Sequence, residues 1–243
     1  MHSPIWWEQS QVMDFGLSNA IKLRKKEGAN PIIAEIKVYS PKYGDLLRDR
    51  DPIDILKAYE RGGAVGISYI TEPKHFRGDF KFFRRICRET DLPVLRKDFI
   101  TSKSEIERTA EAEASAVLII TRILRENTAE FVDYALEHGL ETLVEVHSLD
   151  EIRIANETKT PLIGINNRDI SRLERDDGTV EVTERLCRYV RDGVVKVSES
   201  GINSIEDLRR ALRCADAALI GTAFMKAKDT EGTVRRFVEA RLC

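Results

Sequence analysis

Cysteine is scarce: Cys87, Cys187, Cys214 and Cys243 are the only four in 243 residues. None forms a CxxC pair or stands near a histidine at ligand spacing, which excludes a zinc site or a disulfide framework as the organising element. Histidine is equally sparse; His2, His75, His138 and His147 show no metal spacing, and each reads as a capping or surface residue. Aromatics are 7% of the chain, and 14 Gly with 7 Pro exclude a collagen-like or low-complexity sequence. No charge sign dominates: 39 Lys and Arg face 41 Asp and Glu, net −2, so there is no nucleic-acid tail or polybasic membrane patch. No apolar run approaches the roughly twenty residues of a membrane span. The start, Ile5-Trp6-Trp7-Glu8, has no basic segment leading into an apolar stretch of signal-peptide length. These absences predict a cytoplasmic globular protein with reduced thiols.

What is present is an alternation. Hydrophobic residues are 42% of the chain, enough for a sizeable core. Short apolar runs of strand length occur at Pro31–Lys37, Ala64–Thr71, Pro93–Phe99, Ala116–Thr121, Glu141–Val146, Leu162–Asn167, Val194–Ser200 and Ala217–Thr222. Most are continuous Val/Ile/Leu stretches, as parallel strands buried on both faces require. Helical segments with cap signals lie between them. Asp51-Pro52 with Asp54 starts one that Gly62 closes, and Asn127 with Glu130 heads another, ended by Gly139. Ser148 with Glu151 and Ser204 with Asp207 repeat the capping pattern, and a terminal helix runs from Thr230 to about Leu242. Strand and helix repeated eight times with right-handed crossovers predict a closed (β/α)8 barrel; the rival, a doubly wound open sheet, would want a Gly-rich first turn that is missing here. Met13 to Lys26 (Phe15, Leu17, Ile21, Leu23) adds a helix before the first strand, covering either the bottom or the mouth of the barrel. No linker divides the chain, so residues 1–243 are expected to be one domain, with 1–30 a helical extension.

In such a barrel the active site lies where strands end. Polar residues collect there. Period two puts Glu35 and Lys37 on the face of Ile33, pointing inward, where each charge needs a partner and the two can pair. Lys97 shares the parity of Leu95 and Glu145 that of Leu143, so Lys97 is a candidate general acid, electrophile or Schiff-base amine, with Glu145 as a plausible partner. Asn166-Asn167-Arg168 ends the sixth run, and Arg168 can hold a carboxylate bidentately. Ser200-Gly201 and Gly221-Thr222 end the seventh and eighth, where many barrels bind phosphate. Each feature alone has an ordinary explanation as a salt bridge, polar turn or solvated rim. Together they describe a phosphate-binding barrel enzyme using Lys/Glu acid–base chemistry, with an arginine for a second anionic group.

The strand ends Ile33-Ala34-Glu35-Ile36-Lys37 with Ser40-Pro41, Ser68 with Thr71-Glu72 and Phe76, Leu95-Arg96-Lys97-Asp98-Phe99, Leu143-Val144-Glu145, Gly164-Ile165-Asn166-Asn167-Arg168-Asp169, Val197-Ser198-Glu199-Ser200-Gly201-Ile202 and Leu219-Ile220-Gly221-Thr222-Ala223-Phe224-Met225 resemble the indole-3-glycerol phosphate synthase family. The resemblance implies a cytoplasmic lyase of tryptophan biosynthesis. Its substrate would be 1-(2-carboxyphenylamino)-1-deoxyribulose 5-phosphate, and its products indole-3-glycerol phosphate, carbon dioxide and water, with no metal or organic cofactor. It implies Lys97 as general acid on the ketone oxygen, Glu145 as acid or base in dehydration, and Glu35 and Lys37 as assisting groups. Asn166 and Glu199 would hold substrate hydroxyls, and Arg168 the anthranilate carboxylate. Ser40, Ser200, Gly201, Gly221 and Thr222 would cradle the phosphate; Ile70, Phe76 and Ile120 would form the apolar wall, with Ser68 also at the substrate. The implied partners are the small-molecule substrate and other enzymes of the pathway, not nucleic acid or membrane.

Three positions depart from the family pattern. Val38 and Tyr39 follow Lys37 where basic residues are common, which lowers the positive charge of the mouth, and Thr222 stands where serine is common. Two other readings stay open: an isomerase or Schiff-base aldolase on the same barrel, and a non-catalytic barrel serving as a subunit. The isomerase would want a cysteine where Glu35 stands, and the non-catalytic barrel predicts a degraded site, whereas every main charged position is filled.

Overall fold

The computed structural model describes residues 16–168 and 178–241. The Trp6, Trp7, Met13, Phe15, Asp169 and Cys243 positions lie outside them. All eight apolar runs are strands: β1 Ile32–Ile36, β2 Gly66–Ile70, β3 Val94–Lys97, β4 Ala116–Ile120, β5 Glu141–Val146, β6 Leu162–Asn166, β7 Val195–Glu199 and β8 Ala217–Ile220. Each pairs in parallel with its neighbours in chain order, and β8 pairs back onto β1, so the sheet closes. Such a closed parallel sheet with intervening helices is a (β/α)8 barrel. The sequence did not announce a short antiparallel ribbon, Tyr39–Ser40 with Gly44–Asp45, in the loop after β1.

Alternating side chains divide the core into layers. Inward residues Ile33, Leu95, Leu118, Leu143, Val197 and Leu219 fill the barrel. Outward residues pack under the helices in two clusters, one around Ala34, Ile67 and Ala218, the other around Val117, Val144 and Ile163. Both faces of the sheet are therefore apolar, which is why the strands read as continuous hydrophobic runs rather than as alternations.

The extra helix, Leu17–Lys26, settles at the bottom. Leu17 and Ile21 are fully buried and join the barrel interior. The helix has no side-chain cap of its own. The Glu141 carboxylate, at the start of β5, takes that place by accepting from the Ser18 backbone N–H (2.9 Å) and hydroxyl (2.5 Å). A negative group there satisfies an orphan donor and meets the positive end of the helix.

The predicted caps mostly form. Asp51 accepts from Ile53 N–H ahead of the helix Pro52–Arg61, which stops at Gly62. Ser148 accepts from Glu151 N–H, and Ser204 with Asp207 makes a full capping box. Asn127 does not cap: a 3-10 turn, Arg125–Asn127, leads into the helix Thr128–Glu137, and Asn127 has helical backbone angles with no side-chain cap bond. The Thr128 hydroxyl instead donates to the Arg125 carbonyl. The last helix ends at Val238, short of the expected Leu242.

Candidate active site

The inward parity of strand ends places five charged side chains in one buried cluster. Glu35, Lys37, Lys97, Glu145 and Glu199 are each 9% exposed or less. Lys37 Nζ lies 3.2 Å from Glu35 Oε1, as the strand parity predicts. Lys97 reaches across the mouth and donates to Glu199 Oε2 at 2.9 Å, with Glu35 Oε2 at 3.6 Å and Glu145 Oε2 at 4.0 Å. The expected Lys97–Glu145 pair is thus the longest of the three contacts, and Glu199 is the primary partner. The sequence places Glu199 only at a substrate hydroxyl, because strand parity does not say which residue Lys97 meets across the barrel.

Taking such charges out of water costs several kcal/mol per ion, and apolar residues would often serve stability as well or better. Three carboxylates facing two ammonium groups are therefore poor structural cement and a strong pointer to chemistry. Burial opposes the charge on Lys97, but Glu199, Glu35 and Glu145 together outweigh it and hold the ammonium above the ordinary lysine range. Burial pushes the Glu199 carboxyl up to about 7; Lys97 pulls the other way, while Glu145 and Glu35 add to the rise. The cluster holds a charged lysine and has a carboxyl able to take a proton near neutrality.

The surrounding chain fixes these groups. Tyr59, buried in the helix 52–61, donates to the Glu35 carbonyl at 3.0 Å. Beside Lys97, Arg96 points outward and bonds the Thr71 hydroxyl, the Asp98 carboxylate and the Thr109 hydroxyl, which pins the end of β3 to β2 and the next helix. Glu72 accepts backbone N–H bonds from Lys74, His75 and Phe76. Burial opposes its charge, but these bonds hold its carboxyl below its ordinary range. They shape the loop after β2 and seat the Phe76 ring, with Lys37 Nζ 5.9 Å from its centroid. The sequence reading gave none of the three supporting groups, Tyr59, Arg96 and Glu72, a role of its own.

A small pocket opens beside the cluster, lined by Glu35, Lys37 and Arg168 together with Ser200, Gly201, Gly221 and Thr222. Ser200 and Gly201 both have positive φ, 64° and 72°. The Asn167 amide holds this turn from below, donating to the Ser198 hydroxyl and to the Glu199 and Ser200 carbonyls. Its oxygen accepts from Thr183 N–H and hydroxyl. Asn166 Oδ1 accepts the Arg168 backbone N–H at 3.0 Å, shaping the turn that carries the buried arginine. Ile70 and Ile120 are buried at the ends of β2 and β4, and the buried Ser68 hydroxyl has no hydrogen-bond partner among the described residues. Ser40 is fully buried in the ribbon, where its Oγ accepts from Lys42 N–H; it does not line the small pocket. At the rim, beside the uncharged Val38 and Tyr39, the Arg77 guanidinium lies 4.1 Å over the Tyr39 ring.

His147 corrects the sequence reading. It is neither exposed nor a cap: its side chain is 5% exposed and lies between Glu145 and Glu151.

The family model for indole-3-glycerol phosphate synthase matches residues 8–237. A protein of Pyrococcus abyssi named indole-3-glycerol phosphate synthase is 65% identical over 94% of this chain and 99% of its own length. The tryptophan biosynthesis protein TrpCD of Archaeoglobus fulgidus is 53% identical over 92% of this chain, which spans 40% of that longer protein. A thiamine phosphate pyrophosphorylase of Pyrococcus furiosus superimposes with a TM-score of 0.61 at 18% identity, covering 88% of this chain and 95% of that one; that likeness concerns the fold alone.

Proposed function

Since the chain belongs to the indole-3-glycerol phosphate synthase family, we infer that it converts 1-(2-carboxyphenylamino)-1-deoxyribulose 5-phosphate to indole-3-glycerol phosphate, carbon dioxide and water. It is then a carboxy-lyase of tryptophan biosynthesis acting on a small-molecule sugar phosphate. The observation that carries this reading is Lys97, buried, charged and surrounded by Glu199, Glu35 and Glu145 at the barrel mouth.

The reaction needs a proton at the ketone oxygen as the aromatic carbon attacks it, loss of the carboxylate, and then elimination of water. Lys97 enters the site protonated, the state a general acid needs, in a dry environment where its charge acts strongly on a developing alkoxide. Glu145, 4.0 Å from Lys97 Nζ, serves the dehydration as acid or base. Glu35 and Lys37 form a second buried pair that stabilises charge and passes protons. Glu199 and Asn166 meet the substrate hydroxyls. Arg168, in the same pocket as Lys37, faces the carboxylate that is lost, and Ile70, Phe76 and Ile120 shape the wall for the ring, with Ser68 beside them. Ser200, Gly201, Gly221 and Thr222 hold the phosphate; Ser40 supports this side from the ribbon. The phosphate is remote from the bonds that change, so its binding energy fixes the geometry of the reacting end.

A cytoplasmic location goes with this biosynthetic reading; among the described residues no helix is long and apolar enough to cross a membrane. The TrpCD relative suggests contact with other enzymes of the pathway. The direct test is to mix the purified protein with the carboxyphenylamino-deoxyribulose phosphate and follow indole absorbance and fluorescence. Indole product supports the reading. Binding without turnover points to a non-catalytic barrel, and no binding at all overturns the assignment.

A further inference from the structure

Past Glu145, β5 runs on into Val146 and His147, and the imidazole lies directly behind the glutamate. His147 Nε2 is 3.4 Å from Glu145 Oε1. Both atoms are fully buried, and neither has a hydrogen-bond partner among the described residues. A buried polar atom without a partner costs about 1–3 kcal/mol, and across this 3.4 Å gap each of the two faces the opposite charge of the other. The opposite edge of the ring is fixed: Nδ1 stands 3.3 Å from Glu151 Oε2, and Arg122 Nε donates to Glu151 Oε1 at 2.9 Å. Glu145, His147, Glu151 and Arg122 thus form a chain from the barrel mouth to the outer helices, with Lys97 beyond it, 4.0 Å from the other oxygen of Glu145.

The ring is not needed to cap the following helix. Ser148 does that, and Glu151 already accepts the His147 backbone N–H at 2.6 Å. Nδ1 pairs with the Glu151 carboxylate and Nε2 faces Glu145 Oε1 in a charge contact rather than a formed hydrogen bond; the arrangement suits the imidazolium, because a lone pair on Nε2 would face an oxygen. Burial disfavours that charge, but the Glu151 hydrogen bond and the Glu145 charge outweigh it despite the opposing Arg122, and the ring is held above the ordinary histidine range.

We propose that His147 is a positioning residue for the established family reaction: its imidazolium, anchored by Glu151 and Arg122, fixes the Glu145 carboxylate between itself and Lys97. The proposal rests on the functional reading above. It is tested in two ways, one of which needs no turnover. In the unliganded protein, the His147 ring is titrated by NMR in the wild type and in Glu145→Gln. The proposal expects the ring to titrate at lower pH in the variant; an unchanged midpoint overturns the contact whatever the reaction proves to be. In turnover, His147→Gln is expected to lower kcat about ten- to a hundred-fold with KM within three-fold of wild type. In a Glu145→Gln background the same substitution should cost less than two-fold, because the group it positions is gone. Glu151→Gln, which keeps the imidazole, should move the alkaline limb of kcat to lower pH. Equal losses in both backgrounds, or an unmoved limb, mean a purely structural histidine and overturn the proposal. Failure of the wild type to turn over strikes the functional reading and leaves the NMR result standing.

Discussion

The Glu199 carboxylate lies in the space that a side chain at residue 164 would fill: a Cβ on Gly164 would stand 1.8 Å from Glu199 Oε1. The glycine on β6 is therefore what lets Glu199 lie across the barrel and meet Lys97. In Gly164→Ala the flexible carboxylate gives way rather than the backbone, so the fold survives at an overpacking cost of about 1–3 kcal/mol. Glu199 then leaves its hydrogen bond to Lys97. The expected outcome is a kcat/KM lowered about 10- to 100-fold, equivalent to about 1.4–2.7 kcal/mol, with a folded circular dichroism spectrum. Undiminished kcat/KM would show that the Lys97–Glu199 contact is dispensable.

Gly201 should act on binding. It has φ 72°, and a Cβ there would meet the Gly178 backbone at 3.2 Å. A left-handed non-glycine costs about 1–2 kcal/mol before any clash. Gly201→Ala should raise KM more than it lowers kcat and should weaken competition by inorganic phosphate. A kcat effect with unchanged KM would contradict its place in the phosphate cradle.

The Glu151–His147 pair predicts a pH window for stability. Burial opposes the Glu151 charge, but hydrogen bonds from His147 and Arg122 lower its carboxyl from 4.5 to about 2. A lowered carboxyl contributes stability fully above 4.5, and loses it as pH falls toward about 2. The raised His147 works the opposite way: its contribution is complete below 6.5 and is lost as pH rises through its folded value. The stability difference between wild type and Glu151→Gln should therefore be greatest between about 4.5 and 6.5 and shrink on both sides. Denaturant midpoints across pH read this directly. A difference that grows steadily with pH would show that the pair is not ionised as described.

Arg77 supplies positive charge where the chain after Lys37 carries Val38 and Tyr39. Its guanidinium is held over the Tyr39 ring, a contact worth about 0.5–1 kcal/mol at an exposed site. Arg77→Ala should raise KM about two- to five-fold at low ionic strength, with the effect fading in salt and kcat unchanged. A KM that stays the same at low ionic strength would remove Arg77 from substrate capture.

The barrel was legible because both faces of its sheet are buried, so each strand stands out as an apolar run. Strand parity then placed Glu35, Lys37, Lys97 and Glu145 inside. Parity says which face a residue occupies but not which residue it meets across the barrel, so Glu199 as the partner of Lys97 stayed hidden. His147 was missed because Val146-His147-Ser148 looks locally like a helix start; its burial comes from Arg122 and Glu151, brought in by tertiary packing. Asn127 shows the reverse error. A good cap sequence lost its role because a 3-10 turn already occupied that stretch, and local propensity gives way to such context.

The central claim is that Lys97, held charged by Glu199, Glu35 and Glu145, protonates the substrate. The most direct measurement is turnover by Lys97→Met beside its affinity for the substrate. The account predicts loss of indole formation by at least about a thousand-fold, with substrate binding still measurable, since the phosphate cradle and Arg168 are intact. A Lys97→Met protein that keeps a tenth or more of wild-type kcat would contradict it.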